Sequence, residues 1–115
     1  MIVSNLEALP GQRIVKHLGL AQGSTVKAKH VGKDFLAGLK NIVGGELKAY
    51  TELMQDAREE AVRRMVAEAQ SMGANAVLNV RFASTSITMG AAEILAYGSA
   101  VVVAAVAEGG EPPQA

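Results

Sequence analysis

The chain has no cysteine and no tryptophan, and aromatic residues make up 3% of its 115 residues. Without cysteine there can be no disulfide, no thiolate nucleophile and no conventional zinc knuckle. That absence fits a reducing compartment, and the expected location is the cytoplasm. The scarcity of aromatics means that any core is built from Ala, Val, Leu, Ile and Met, since half the residues are hydrophobic. Each such side chain buries little area, so many close contacts must share the work. Excess charge is also missing: 11 basic residues balance 11 acidic ones. A neutral chain presents no electrostatic footprint for nucleic acid or an anionic membrane, and neither is expected as a partner.

Long apolar runs are lacking too. The most apolar stretch, Ile94–Ala107, is interrupted by Gly98 and Ser99 and falls short of the roughly 20 residues of a transmembrane helix. The first residues, Met1-Ile2-Val3-Ser4-Asn5, have neither the basic region nor the apolar core of a signal peptide. A length of 115 residues suits one domain. Residues 1–107 are expected to form it, and 108–115, with Gly109, Gly110, Pro112 and Pro113, to form a disordered tail.

What is present reads as an α+β domain. Ile2–Ser4 suggests a short strand, and Pro10-Gly11 a turn. Arg13–Ala21 alternates as a strand, with Ile14, Lys16, Leu18 and Leu20 on one face and Val15, His17, Gly19 and Ala21 on the other. Gly23-Ser24 reads as a hairpin turn into a second strand, Thr25–His30. From Gly32 the period changes. Phe35, Leu36, Leu39, Ile42 and Val43 form one helical stripe, with Asp34 at its start and Gly44-Gly45 at its end.

The strongest periodic signal follows. Tyr50, Leu53, Met54, Ala57, Ala61, Met65, Ala69 and Met72 recur every three or four residues. They predict a long helix from Glu46 that ends at Gly73, with Glu59–Arg63 and Glu60–Arg64 as i,i+4 pairs. Period two resumes at Ala76, placing Ala76, Leu78, Val80 and Phe82 on one face and Val77, Asn79, Arg81 and Ala83 on the other. Ser84–Ala92 reads as a polar connection turning at Gly90. Glu93–Val106 reads as a final strand, apolar on both faces beyond Ser99. A sheet with helices on one side needs its strands to alternate. A strand apolar on both faces therefore needs a second cover, and another copy of the chain is the simplest one.

Candidate chemistry is sparse. His17 and His30 lie on separate predicted strands, and Asp34 follows soon after; together they are the candidate ligands for a divalent metal ion. The plainer reading is two ordinary strand histidines, because no HxH or HxxxH spacing is present. The methionines of the helical stripe read as core. Asn79 and Arg81, with Glu93, Tyr97 and Ser99 on the strand expected to pair with them, make either a polar network at a subunit interface or a pocket. The interface is preferred, since buried charges need partners. Phosphate loops, a GxSxG elbow and an HExxH helix are all absent. The chain therefore reads as a non-enzymatic protein. The alternative is an enzyme or small-molecule site built on Arg81, Tyr97 and Glu93.

Several segments in order resemble the YbjQ-like family: Asp34-Phe35-Leu36-Ala37-Gly38-Leu39-Lys40-Asn41-Ile42-Val43-Gly44-Gly45, then Tyr50, Ala57-Arg58 and Ala61. Gly73-Ala74-Asn75-Ala76-Val77 with Val80 and Phe82 follow, and Ala96-Tyr97-Gly98-Ser99-Ala100-Val101 closes the series. The family usually carries Thr where this chain has Ser99. The resemblance implies a two-layer α/β sandwich, mainly antiparallel, with one long and one short helix. It further implies assembly as a ring, typically a pentamer, with strands completing sheets between subunits. The family carries a heavy-metal-binding label with no enzyme activity and no ligand motif attached. With no cysteine and two separated histidines, this sequence offers such a metal only methionines or carboxylates gathered about a ring axis.

Overall fold

The structure, a computed structural model, describes residues 1–28, 45–88 and 91–106. The expected short helix, its Gly44 cap, His30, Asp34, the Gly90 turn and the 108–115 tail lie outside those residues. Within them the order is β1 (Ile2–Val3), β2 (Gln12–Ala28), α1 (Gly45–Ser71), β3 (Ala76–Thr88) and β4 (Ala91–Ala105). The strands form one sheet in the order β1-β3-β4-β2. The β3–β4 and β4–β2 pairs are antiparallel and β1–β3 is parallel. The sheet is mixed and the fold is α+β, with α1 across one face.

The helix forms where its stripe predicts it. Ala57, Ala61, Met65 and Ala69 are fully buried, and Met54, Val62 and Met72 pack beside them. Arg64 bonds Glu60 at 2.7 Å and donates to the Ser24 carbonyl at 2.6 Å, so one side chain ties two helical turns to β2. The helix ends on two bonds, Gly73 N–H to the Gln70 carbonyl and Ala74 N–H to the Ala69 carbonyl. Gly73 sits at φ 91°, a left-handed cap that a Cβ disfavours. Asn75 then stands in for a strand residue. Its Nδ2 donates to the Val103 carbonyl at 2.9 Å, and its Oδ1 accepts from the Val103 N–H at 2.8 Å.

The expected hairpin at Gly23-Ser24 does not form. β2 runs unbroken and pairs with β4 from Gln12↔Ala105 to Ala28↔Ala91. Gly23 is there because the helix backbone presses on it: a Cβ would lie 2.3 Å from Met65 N and 2.5 Å from the Ala61 carbonyl oxygen. Close approach of another backbone is the second common reason for glycine in a strand. The polar 84–88 stretch, expected to be connection, extends β3 instead.

Bulges overturn the predicted faces. Val15 and Leu18 are extra residues against β4, at shifts between Ile14 and Lys16 and between His17 and Gly19. Ile14, His17 and Leu20, three residues apart, therefore share the open face opposite Val103, Val101 and Ser99. In β3, Asn79 and Val80 together oppose Gly98, and Asn79 takes φ 54°. Val77 and Val80 consequently join the helix-side core, whereas Ala76 and Leu78 turn to the other face. The expectation that Ala76, Leu78, Val80 and Phe82 line one layer fails at this bulge.

On the second face, Ala76, Leu78, Val101 and Val103 form a small separate core beneath Leu9. Part of the cover expected from another copy thus comes from the chain's own N-terminal segment. Farther along that face, Leu20 is 58% and Val26 53% exposed. The molecule measures 60 × 26 × 18 Å with a radius of gyration of 18.5 Å; a compact domain of this size has about 13 Å.

Candidate functional site

The open face of the sheet holds a recess of about 230 Å³ beside the small second core. Its polar lining is Glu7, His17, Asn79 and Ser99; Ile14, Leu78 and Val101 supply apolar walls. Three features of the backbone bring these groups together. The β2 bulge at Val15 carries His17 to the rung of Val101, on the face of Ile14. Leu78 pairs with Ser99 on the next rung. The β3 bulge then holds the N-terminal segment: Val80 N–H donates to the Ser4 carbonyl at 3.0 Å and Asn79 N–H to the Leu6 carbonyl at 2.8 Å. Arg81 adds a third bond to that segment, from Nη1 to the Asn5 carbonyl at 3.1 Å. The segment so fixed delivers Glu7 to the recess.

Asn79 carries two departures from the ordinary. A left-handed backbone at a residue other than glycine costs roughly 1–2 kcal/mol, less for Asn than for most. Its side-chain Oδ1 is buried with no hydrogen-bond partner among the described residues. An acceptor withdrawn from water and left unpaired is itself costly, so most buried acceptors are paired.

Of the other candidate residues, Arg81 and Tyr97 are direct cross-strand partners. Glu93 pairs with Thr85, four residues along β4 from Tyr97, or about 13 Å. The Arg81 guanidinium is turned to the Asn5 and Val80 carbonyls. Arg81, Tyr97 and Glu93 line neither this recess nor the second one described here. That second recess, a shallow groove of about 360 Å³ between α1 and β3, is lined by Arg58, Glu59, Val62, Arg63 and Phe82. Glu7 was missed by sequence reasoning. No periodic pattern marks it; only the bonds of the bulge to residues 4–6 bring it in. Ile14 and Leu78 were assigned faces, but the bulges that seat them here leave no trace in alternation.

A sequence profile described as "Putative heavy-metal-binding", YbjQ_1, matches residues 1–104. The chain belongs to this family. A UPF0145 protein of Hahella chejuensis is 63% identical over 103 residues, covering 90% of this chain and 99% of that one. A UPF0145 protein of Thermus thermophilus is 58% identical over 101 residues, covering 88% and 89%. Among solved structures, a protein of unknown function from the DUF74 family of Pediococcus pentosaceus superposes with a TM-score of 0.61. It covers 90% of this chain and 98% of its own at 8% identity, which speaks to the fold alone.

The family description can be tested against the donors present. Soft heavy metals select thiolate and thioether sulfur. The chain has no cysteine, and Met65 is fully buried in the core, with Met54 and Met72 packed against it. No group of three or more His, Cys, Asp or Glu side chains is placed to hold a metal among the described residues. Among the described residues the recess offers nitrogen and oxygen only. These donors do not fit a soft heavy-metal ion.

Proposed function

We propose that the protein is a non-enzymatic homo-oligomer, a ring-forming binding or scaffold protein whose copies meet through the open sheet. The observation that carries this reading is the uncovered apolar surface: Leu20, Val26 and Ile14 are 58%, 53% and 48% exposed on one face. Isolated surface apolar residues are ordinary, whereas a row of them along one sheet marks an interface. The edge of the sheet supports the same reading. Among the described residues β2, 17 residues long, is the outer strand and is paired on one side only. A long unblocked edge strand is a template for a strand from another chain. The elongated shape follows if the unit that closes its surface is larger than one copy. A pentamer is the size implied by the family resemblance. Among the described residues no helix is long and apolar enough to cross a membrane.

The test is light scattering on the purified chain. Five copies of the 11.9 kDa chain give a single species of about 60 kDa. A species at the mass of one copy, stable across protein concentration, would remove the reading.

A further inference from the structure

We infer that the recess of Glu7, His17, Asn79 and Ser99 is a binding site for a primary alkylammonium group. The argument starts from hydrogen-bond supply. Glu7 brings a carboxylate, which only accepts, while Asn79, Ser99 and His17 bring an amide, a hydroxyl and an imidazole that can accept as well as donate. Among the described residues no lysine or arginine lines the recess, and Arg81, the nearest cation in sequence to Asn79, spends its Nη1 on the Asn5 and Val80 carbonyls. The site thus offers a carboxylate with further acceptors around it. Its natural complement is a positively charged donor with several N–H bonds, and an ammonium has three.

The buried Asn79 Oδ1 sharpens the demand. Among the described residues it has no partner; Asn79 lines the recess, and a turn of its amide toward an entering donor would pair it. The backbone is held in a left-handed conformation at this residue, and the N–H it presents on the other side anchors the segment bearing Glu7. One strained residue therefore sets both the orphan acceptor and the position of the carboxylate. Strain of this kind collects at binding sites, where the surroundings maintain it. The apolar walls, Ile14, Leu78 and Val101, suit a methylene stem behind the charged head, the arrangement in which long amine side chains bury their carbons. A soft metal gains nothing from such walls.

The ammonium can be carried by a small free amine or by a lysine side chain of a second copy. The experiment separates these. Amide chemical shifts of the full-length chain are followed during titration with n-butylammonium, with n-butanol and tetramethylammonium as controls. The first control keeps the stem without the charge, and the second keeps the charge without N–H donors. Glu7→Gln and Asn79→Gly are titrated alongside; glycine retains the left-handed backbone while deleting the acceptor. The expected result is saturable shifts at Asn79 and Ser99 with n-butylammonium alone, and affinity about tenfold weaker in each variant. If no free amine binds but both variants weaken self-association measured by light scattering, the ammonium is a lysine from a neighbouring copy. Equal binding of either control overturns the inference. So does amine binding unaffected in both variants, or the absence of any effect of either variant on binding and assembly. A stable monomer that binds the amine would remove the oligomer reading and leave this one standing.

Discussion

Gly23→Ala tests how tightly the helix lies on the sheet. The alanine Cβ would meet Met65 N at 2.3 Å, the Ala61 oxygen at 2.5 Å and the Arg64 carbonyl carbon at 2.7 Å. All three are helix backbone, so no side chain can swing away. Ordinary contact distances are about 3.5 Å, and the helix must therefore withdraw by roughly 1 Å. A gap of that size forfeits a quarter to a half of each contact it opens. Here it opens along the whole buried row of Ala57, Ala61, Met65 and Ala69. We expect a loss of about 3 kcal/mol, the upper part of the range for overpacked sites. At about 4 °C per kcal/mol for a chain of this length, the melting midpoint falls by about 12 °C. The assay is thermal denaturation by circular dichroism at one fixed protomer concentration, because assembly would make the midpoint concentration-dependent. Gly11→Ala is the comparison. Nothing lies within 4 Å of its added Cβ, and only its φ of 74° opposes the change, a cost of about 1 kcal/mol. If Gly23→Ala melts no lower than Gly11→Ala, the helix is not seated on β2 and the description of the core is wrong.

Asn75→Ala deletes both bonds to the Val103 backbone and should lower stability by about 2 kcal/mol in denaturant unfolding. Asn75→Asp keeps the acceptor and loses the donor, so it should fall between; a neutral Asn75→Ala would show that the β3–β4 end does not depend on that side chain. At Asn79, alanine should melt below glycine, because only the former pays for φ 54°, about 1 kcal/mol; equal midpoints would deny the left-handed bulge. Leu20→Asp, at a position 58% exposed, should leave a single copy nearly as stable while dispersing the oligomer in light scattering. Unchanged mass would move the interface elsewhere.

The parts of this fold that could be read from sequence are those governed by one uninterrupted period. The helix stripe from Ala57 to Met72 is about four turns of the same signal, and the packing that buries it is the packing the signal predicts. The Gly73 cap is likewise local chemistry. The sheet was legible in kind but not in facing, since period two holds only while residues oppose one another singly. Val15, Leu18 and Asn79 each break that condition, and each resets every side chain that follows. Gly23 was misread for a related reason: a glycine between two alternating runs looks like a turn until the helix that occupies the missing Cβ is in place. Glu7 could not be found at all, because its position depends on bonds from Asn79 and Val80 across more than seventy residues of chain.

Those same irregularities are where the site lies. A regular β2 would put Ile14 and His17 on opposite faces, and a regular β3 would do so with Leu78 and Asn79. Two extra residues, Val15 and Asn79, instead collect Ile14, His17, Leu78 and Asn79 around one recess. Each bulge leaves strand residues out of the ladder, and each must be offset by something nearby. At β3 the offset is visible, because Asn79 N–H and Val80 N–H bond the N-terminal segment. Straightening the bulge would therefore release that segment, withdraw Glu7 and restore β3 to regular alternation in one step. Deleting Asn79 outright should do this. The ladder would then run Leu78–Val80–Arg81 against Ser99–Gly98–Tyr97 without a shift, and Val80 would face the helix as before. The expected outcome is a chain that still melts cooperatively, with amide exchange at residues 4–6 no longer protected. Protection that persists in the deletion variant would mean that the segment is held by Leu9 and β1 alone, and that the bulge does not position the recess.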